Sequence, residues 1–253
     1  MYIMRKVGDK VNKQMFMKTS FAIILFSLLC VIIPVDAYAS SVSTNMNVLK
    51  RYETEMRRIL KSDHISYYGS FYEKVKKKYV ETKKQVGRMK NVKVKREYMI
   101  KLKKVNDTME HFLYYVKAME QGQKLKQTAT QVDRALQDGN INSFYNLYPV
   151  FEQQLKDMVY FSSKTKKYPV YNKMFHAFLQ PAIQIKNRSY APISTLYAFD
   201  KVIDCYEKDQ IDEVEKLISL CDQFIKKVVD KKTKERLVIL LEELKKPIII
   251  DIQ

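Results

Sequence analysis

Residues 71–120 read FYEKVKKKYVETKKQVGRMKNVKVKREYMIKLKKVNDTMEHFLYYVKAME. In the first half Tyr72, Val75, Tyr79, Thr82, Val86 and Met89 alternate at intervals of three and four. Leu102, Val105, Met109, Phe112, Val116 and Met119 repeat the rhythm in the second half. Such spacing lays one seam along a helix and suits knobs-into-holes packing against an antiparallel neighbour. Lys90-Asn91-Val92-Lys93 supplies a turn between the two seams. The stretch therefore predicts two long helices, over about 66–90 and 95–137, folded as a hairpin, the second near 60 Å long at about 1.5 Å per residue. Gly122 is the weak point of the second helix, and Gln123 interrupts its seam.

The same pattern extends outward. An earlier helix over about 46–61 carries Val48, Leu49, Tyr52, Met56, Ile59 and Leu60. Downstream, helices are expected over about 142–161 (with Pro149 as a kink), 171–188 (with Pro181 inside), 193–207, 212–230 and 233–246. Breaker residues place a loop at Ser162–Pro169, a turn at Ser189–Ile193 and a stop at Pro247. Ile248-Ile249-Ile250 reads as a short strand or a docked tail. Residues 135–155 and 205–225 match at an offset of 70. Asp138-Gly139-Asn140-Ile141-Asn142 aligns with Lys208-Asp209-Gln210-Ile211-Asp212 in what reads as a helix–turn–helix unit. Asn142 and Asp212 are the expected N-caps, and Asp212-Glu213-Val214-Glu215 has the form of a capping box. Duplication and shared hairpin physics account for the match equally well. The chain has 253 residues but only five Gly, too few for Gly-rich phosphate loops or a hairpin-rich sheet. The expected fold class is all-α: an elongated antiparallel helical bundle of coiled-coil-like hairpins after a cleaved signal peptide.

Residues 1–39 form that signal peptide. Arg5, Lys6, Lys10, Lys13 and Lys18 precede the apolar run Phe21–Ile33, Pro34 stops it, and Ala37-Tyr38-Ala39 offers a cleavage site before Ser40. The run falls short of the roughly 20 apolar residues a membrane-spanning helix needs, so no stable transmembrane anchor is expected after cleavage. Export permits a disulfide between Cys205 and Cys221. Their levels along a hairpin would differ by about 10 Å, beyond the roughly 7 Å between Cα atoms that a bridge tolerates, and two buried free thiols are expected instead.

Charge divides the chain. Residues 50–104 hold 19 Lys and Arg against 6 Asp and Glu, whereas residues 105–253 hold 22 against 20. The expected organisation is a basic hairpin region at 40–137 and a near-neutral helical bundle at 138–253. Few carboxylates stand near the hairpin bases to balance them, and a polyanion is the partner that would. Lys74, Lys77, Lys78, Lys84, Arg88, Lys95, Arg96, Lys101 and Lys104 are the candidate polymer-binding residues. The soluble-face reading of the same bases stands beside this one.

Chemistry-bearing motifs are absent from the sequence. His64, His111 and His176 have no partner at metal-site spacing, and no P-loop, G-x-S-x-G or H-E-x-x-H occurs. No catalytic residue, metal or cofactor is expected. His111 reads as a partly buried structural imidazole. Tyr67, Tyr68, Phe71, Tyr72 and Tyr79 stand beside the lysine run, where stacking on single-stranded nucleic acid competes with a core role. Core is the expected role, and export removes nucleic acid as a partner.

Phe178-Leu179-Gln180-Pro181-Ala182, the apolar-spaced stretch to Arg188 and the hairpin Leu196–Leu220 resemble the helical domain of bacillus surface-layer proteins of the SbsC type, over about residues 143–225. Phe178 stands where that family favours Tyr. The resemblance implies a helical protein of the cell surface of a Gram-positive bacterium, secreted or surface-associated, with anionic cell-wall polymer as partner for its basic region. Two other readings remain open. One is a secreted or membrane-active, toxin-like module that binds a partner through an apolar groove, and the other is an enzyme with a dispersed site around His176 or His111.

Overall fold

The computed structural model describes the backbone of residues 35–252 and the side chains of residues 40–246. The signal-peptide reading lies outside the described residues, save the backbone of residues 35–39, which is helical. The chain forms α1 (Val35–Leu60), α2 (Gly69–Gly87), α3 (Val92–Asp138), α4 (Ile141–Ser163), α5 (Val170–Met174), a π-helical turn (Phe175–Leu179), α6 (Gln180–Glu207), α7 (Ile211–Lys226) and α8 (Lys231–Ile252). Among the described residues there is no strand. The fold is an all-α helical bundle, as the periodicity requires.

Two compact units arise from these helices, and neither is a single run of sequence. One takes the chain up to Tyr52 together with Val75–Val105; the other takes Glu53–Lys74 with Asn106–Gln253. The first closes around Val42, Met46 and Leu49 of α1, Val75, Tyr79, Thr82 and Val86 of α2, and Leu102 and Val105 of α3, all buried. Asn45 of α1 donates to Gln85 of α2 at 2.8 Å. The α2–α3 turn has its own chemistry: the Asn91 side chain accepts from the Val94 amide at 3.1 Å and caps α3. From the first turn of α3, Lys95 Nζ donates to the Gly87 carbonyl at 2.7 Å, placing a cation on the C-terminus of α2.

In the second unit the seam of α3 continues through Met109, Phe112, Val116 and Met119, all buried. Gly122 does not weaken the helix. It is buried, and a Cβ there would lie 2.6 Å from the Phe178 ring, so its bare backbone is the floor on which that ring rests. Phe178 is delivered by the π-helical turn, whose wider ladder inserts an extra residue before α6. Tyr68, Phe71, Phe112 and Tyr115 form an aromatic cluster with centroids 5.8–6.4 Å apart. The buried Tyr115 hydroxyl donates to the Ser66 carbonyl at 2.7 Å and accepts from the Ser66 amide at 3.0 Å. It thereby pins the α1–α2 connection to α3. Tyr72 and Tyr79 are buried and Tyr68 and Phe71 half-buried against α3, so these four serve the core; Tyr67, 51% exposed, does not, against the expectation for the whole cluster.

Several expected breaks are overridden. The turn at Ser189–Ile193 does not form, because α6 runs unbroken through Pro192. Ser189, Ala191, Pro192, Ile193, Thr195 and Leu196 are all buried there, and their packing outweighs the one amide that Pro cannot donate. Helix α4 continues through Pro149, and the backbone of α8 continues past Pro247 to Ile252. The offset-70 match reappears in detail. Gly139 and Asp209 both adopt left-handed φ, +68° and +57°. The Asn140 amide bonds the Ala135 carbonyl at 2.9 Å, and the Gln210 amide bonds that of Cys205 at 3.0 Å, the wider bond of a Schellman turn. The caps fall earlier than expected. Asn140, not Asn142, caps α4 by accepting from Ser143 at 3.1 Å. Gln210 begins α7 without a side-chain cap, so Asp212 and Glu213 act on the dipole from its first turn. Cys205 and Cys221 are both free; Cys221 is buried, but Cys205 is only half-buried. Burial pushes the Cys221 thiol up to about 11, which keeps it protonated and inert.

Candidate polymer-binding surface

The unit formed by α1, α2 and α3 up to Val105 concentrates the basic character. Among its described side chains, residues 40–52 and 75–105, fifteen Lys and Arg face two acids, Glu81 and Glu97. Residues 53–74 and 106–253 of the other unit hold 26 against 24. The excess positive charge of the chain after residue 39 is therefore almost wholly in one small helical body. Helix seams oblige it to be outside: α2 buries Val75, Tyr79, Thr82 and Val86, which leaves Lys76, Lys77, Lys83 and Lys84 exposed on its remaining faces.

Eight of the nine candidate residues belong to this unit; Lys74 belongs to the other. Lys77, Lys84, Arg88, Arg96, Lys101 and Lys104 are exposed. Lys78 and Lys95 are half-buried and already engaged. Lys78 pairs with Glu81 at 2.9 Å and reaches Asn45 Oδ1 at 3.3 Å, while Lys95 holds the hairpin tip closed. Lys101 lies 5.3 Å over the Tyr98 ring, an arrangement that leaves its ammonium in water. Sequence reasoning missed Lys50 and Arg51, which α1 brings into the same unit. The periodicity of α1 was the signal, since Leu49 on its buried face fixes where its neighbours point.

Clefts lie in the near-neutral unit among the described residues. One, of about 690 Å³, is lined by Asp63, His64, Ser66, Lys173 and His176 among others. His64 is exposed beside Asp63 at 3.6 Å, and His176 Nδ1 is 2.7 Å from Gln180 Oε1. The second, of about 440 Å³, is lined by Gln131, Arg134, Asp138, Asn140 and Ser143 among others. His111 sits outside both, half-buried and edge-on to Tyr168, with Nε2 2.8 Å from Lys167 Nζ. Among the described residues, no group of three or more His, Cys, Asp or Glu is placed to hold a metal ion, and no helix is long and apolar enough to cross a membrane.

The family model of the SbsC C-terminal domain matches residues 50–183, more than half of the chain. The chain belongs to the SbsC C-terminal domain family. That match begins upstream of the stretch expected to carry the likeness, takes in the basic hairpin, and includes Phe178–Ala182. The SbsC fold also recurs in solved structures. The crystal structure of the S-layer protein rSbsC(31-844) superposes with a TM-score of 0.71 at 16% identity, covering 81% of this chain and 31% of that one. The crystal structure of the N-terminal part of the bacterial S-layer protein SbsC gives 0.70 at 16% identity, covering 81% of this chain and 53% of that one. This chain thus spans between about a third and a half of the SbsC chains it matches. No curated protein matches it.

Proposed function

We propose that this SbsC-family chain is an exported, non-enzymatic protein of the cell surface, and that its basic helical unit docks on an anionic polymer of the cell envelope. The observation that carries the reading is the imbalance of fifteen bases against two acids within residues 40–52 and 75–105. Two carboxylates cannot neutralise that unit, and the self-repulsion is relieved by a multivalent anion. Lys77, Lys84, Arg88, Arg96, Lys101 and Lys104 carry the contact. Lys78 and Lys95 serve the fold first, Lys78 through Glu81 and Lys95 through the Gly87 carbonyl. Twelve of the fifteen bases are lysines, flexible point charges that follow an irregular polyanion better than they read a fixed geometry.

Retention on purified cell walls at rising salt tests the reading. Binding by counterion displacement weakens steeply as salt rises. Retention that is indifferent to salt, or unchanged when Lys77, Lys84, Arg88 and Arg96 are replaced by Gln, would remove it.

A further inference from the structure

The outer side of α3 at its start combines charge with uncovered apolar surface. Val92, Ile100 and Met99 are 78%, 53% and 41% exposed, high for large aliphatic side chains on a helix whose seam is otherwise buried. At about 100° per residue, Met99, Val92, Lys103, Arg96, Ile100 and Lys93 share one arc of roughly 120°. All six are exposed, whereas Leu102 and Val105 are buried on the opposite side. Over residues 92–103 every apolar side chain on this arc has a base beside it, and Glu97, the one acid in these turns, lies outside it; the exposed Asp107 and Glu110 end the basic stretch where the same arc runs on into the next turns.

We propose that this face is an interfacial surface that seats on anionic phospholipid. Val92, Met99 and Ile100 enter the boundary between headgroups and acyl chains, while Lys93, Arg96 and Lys103 keep their charges at headgroup level by extending their aliphatic stems. The occupant follows from complementarity. A unit with fifteen bases and two acids repels a second copy of itself, and a soluble polyanion makes no use of bare Val, Met and Ile side chains. A negatively charged surface with an apolar interior satisfies both halves of the arc. The surface is marginal by itself, as three side chains give reversible adsorption and not insertion. The proposal stands apart from polymer docking, which needs the bases and not the apolar positions.

The test uses the full chain as exported by a bacterial host, with co-sedimentation on vesicles of equal phosphatidylglycerol and phosphatidylcholine, in parallel with retention on purified cell walls. Replacing Val92, Met99 and Ile100 with Ser is expected to lower vesicle partitioning about tenfold and to leave wall retention unchanged. Replacing Arg96 and Lys103 with Gln is expected to lower vesicle partitioning by about tenfold as well, and to weaken wall retention. Far-ultraviolet circular dichroism shows that each variant is folded. Equal partitioning of the wild type on vesicles with and without phosphatidylglycerol overturns the proposal, as does a serine variant that partitions like the wild type. A concentration-dependent dimer that the serine variant loses, seen without vesicle binding, would make the face a self-association surface and overturn it too. A wild-type chain that partitions onto anionic vesicles but is not retained on cell walls speaks against polymer docking and leaves the lipid result standing.

Discussion

Residues 40–52 with 75–105 and residues 53–74 with 106–253 are built alike, from helices closed around Val, Leu, Met and aromatic seams, yet they handle charge in opposite ways. In the larger unit ionic groups tie helices together. Arg188 of α6 reaches Asp133 of α3 and Asp230 of the α7–α8 connection, Lys186 of α6 reaches Glu152 of α4 at 3.4 Å, and Lys245 of α8 reaches Asp222 of α7 at 3.7 Å. In the smaller unit the Lys78–Glu81 pair lies within α2, and Lys95 serves a helix end. The first unit spends its charge on its own architecture, and the second turns most of it outward. Apolar seams and a few neutral or cation-to-carbonyl hydrogen bonds hold the smaller unit, which leaves most of its surface one-signed.

The largest expected difference between the units is in solution behaviour. Wall retention should fall by about a hundredfold or more between low and moderate salt, since several ammonium groups act together. Urea midpoints should barely move over the same range, because exposed pairs contribute little to stability. Next comes the Arg188 junction. Arg188→Met leaves Asp133 and the nearly buried Asp230 without their cation and should cost about 3 kcal/mol in urea denaturation. Lys78→Met, at the smaller unit's pair, should change stability by less than about 0.5 kcal/mol. Equal costs at the two sites would erase the contrast.

Tyr115 gives a pH-dependent version of the same test. Burial, opposed in part by the Ser66 hydrogen bond, pushes its hydroxyl up to about 12 from an ordinary 10.0. The folded state then holds the proton more tightly than the unfolded chain. This contribution is complete below pH 10 and is lost as pH rises from 10 towards 12. Tyr115→Phe should cost about 1 kcal/mol at neutral pH by removing the two hydrogen bonds to the exposed Ser66 backbone, and should make the alkaline limb measured by thermal melts less steep.

A pair of glycines brings the comparison down to single methyl groups. Gly122→Ala should destabilise by about 1–3 kcal/mol, as its methyl would strike the Phe178 ring. Gly87→Ala meets nothing within 4 Å and should stabilise by about 0.5 kcal/mol. The same change with opposite signs would confirm that close packing in the larger unit, and not helix propensity, selects glycine at 122.

Helix existence was legible in the sequence because a three–four rhythm has one physical solution. The α2–α3 hairpin and the buried seams follow from it, and the offset-70 match located the short turns before α4 and α7, though not their left-handed residues or their caps. What was not legible depends on neighbours remote in sequence. Pro192 reads as a breaker until burial on every side of it is known, and Gly122 reads as a flaw until Phe178 arrives 56 residues later. Asn140 reads as part of a turn until its side chain is seen to cap α4. The basic character of the candidate surface was plain, yet sequence could not tell Lys84, exposed in water, from Lys95, committed to a carbonyl across the turn. Nor did it join Lys50 and Arg51 to the others, since that requires α1 to pack beside α2.

The Gly122–Phe178 contact also constrains how this chain can vary. The ring reaches the glycine only because the π-helical turn shifts the register of the helix by one residue, so three separate features depend on each other. Deleting a residue from 175–179 would rotate Phe178 off its platform and leave Gly122 facing a void. Enlarging position 122 would require a smaller side chain at 178. These positions should therefore accept substitution jointly and resist it singly, so that a paired Gly122→Ala, Phe178→Leu variant melts closer to the wild type than Gly122→Ala alone.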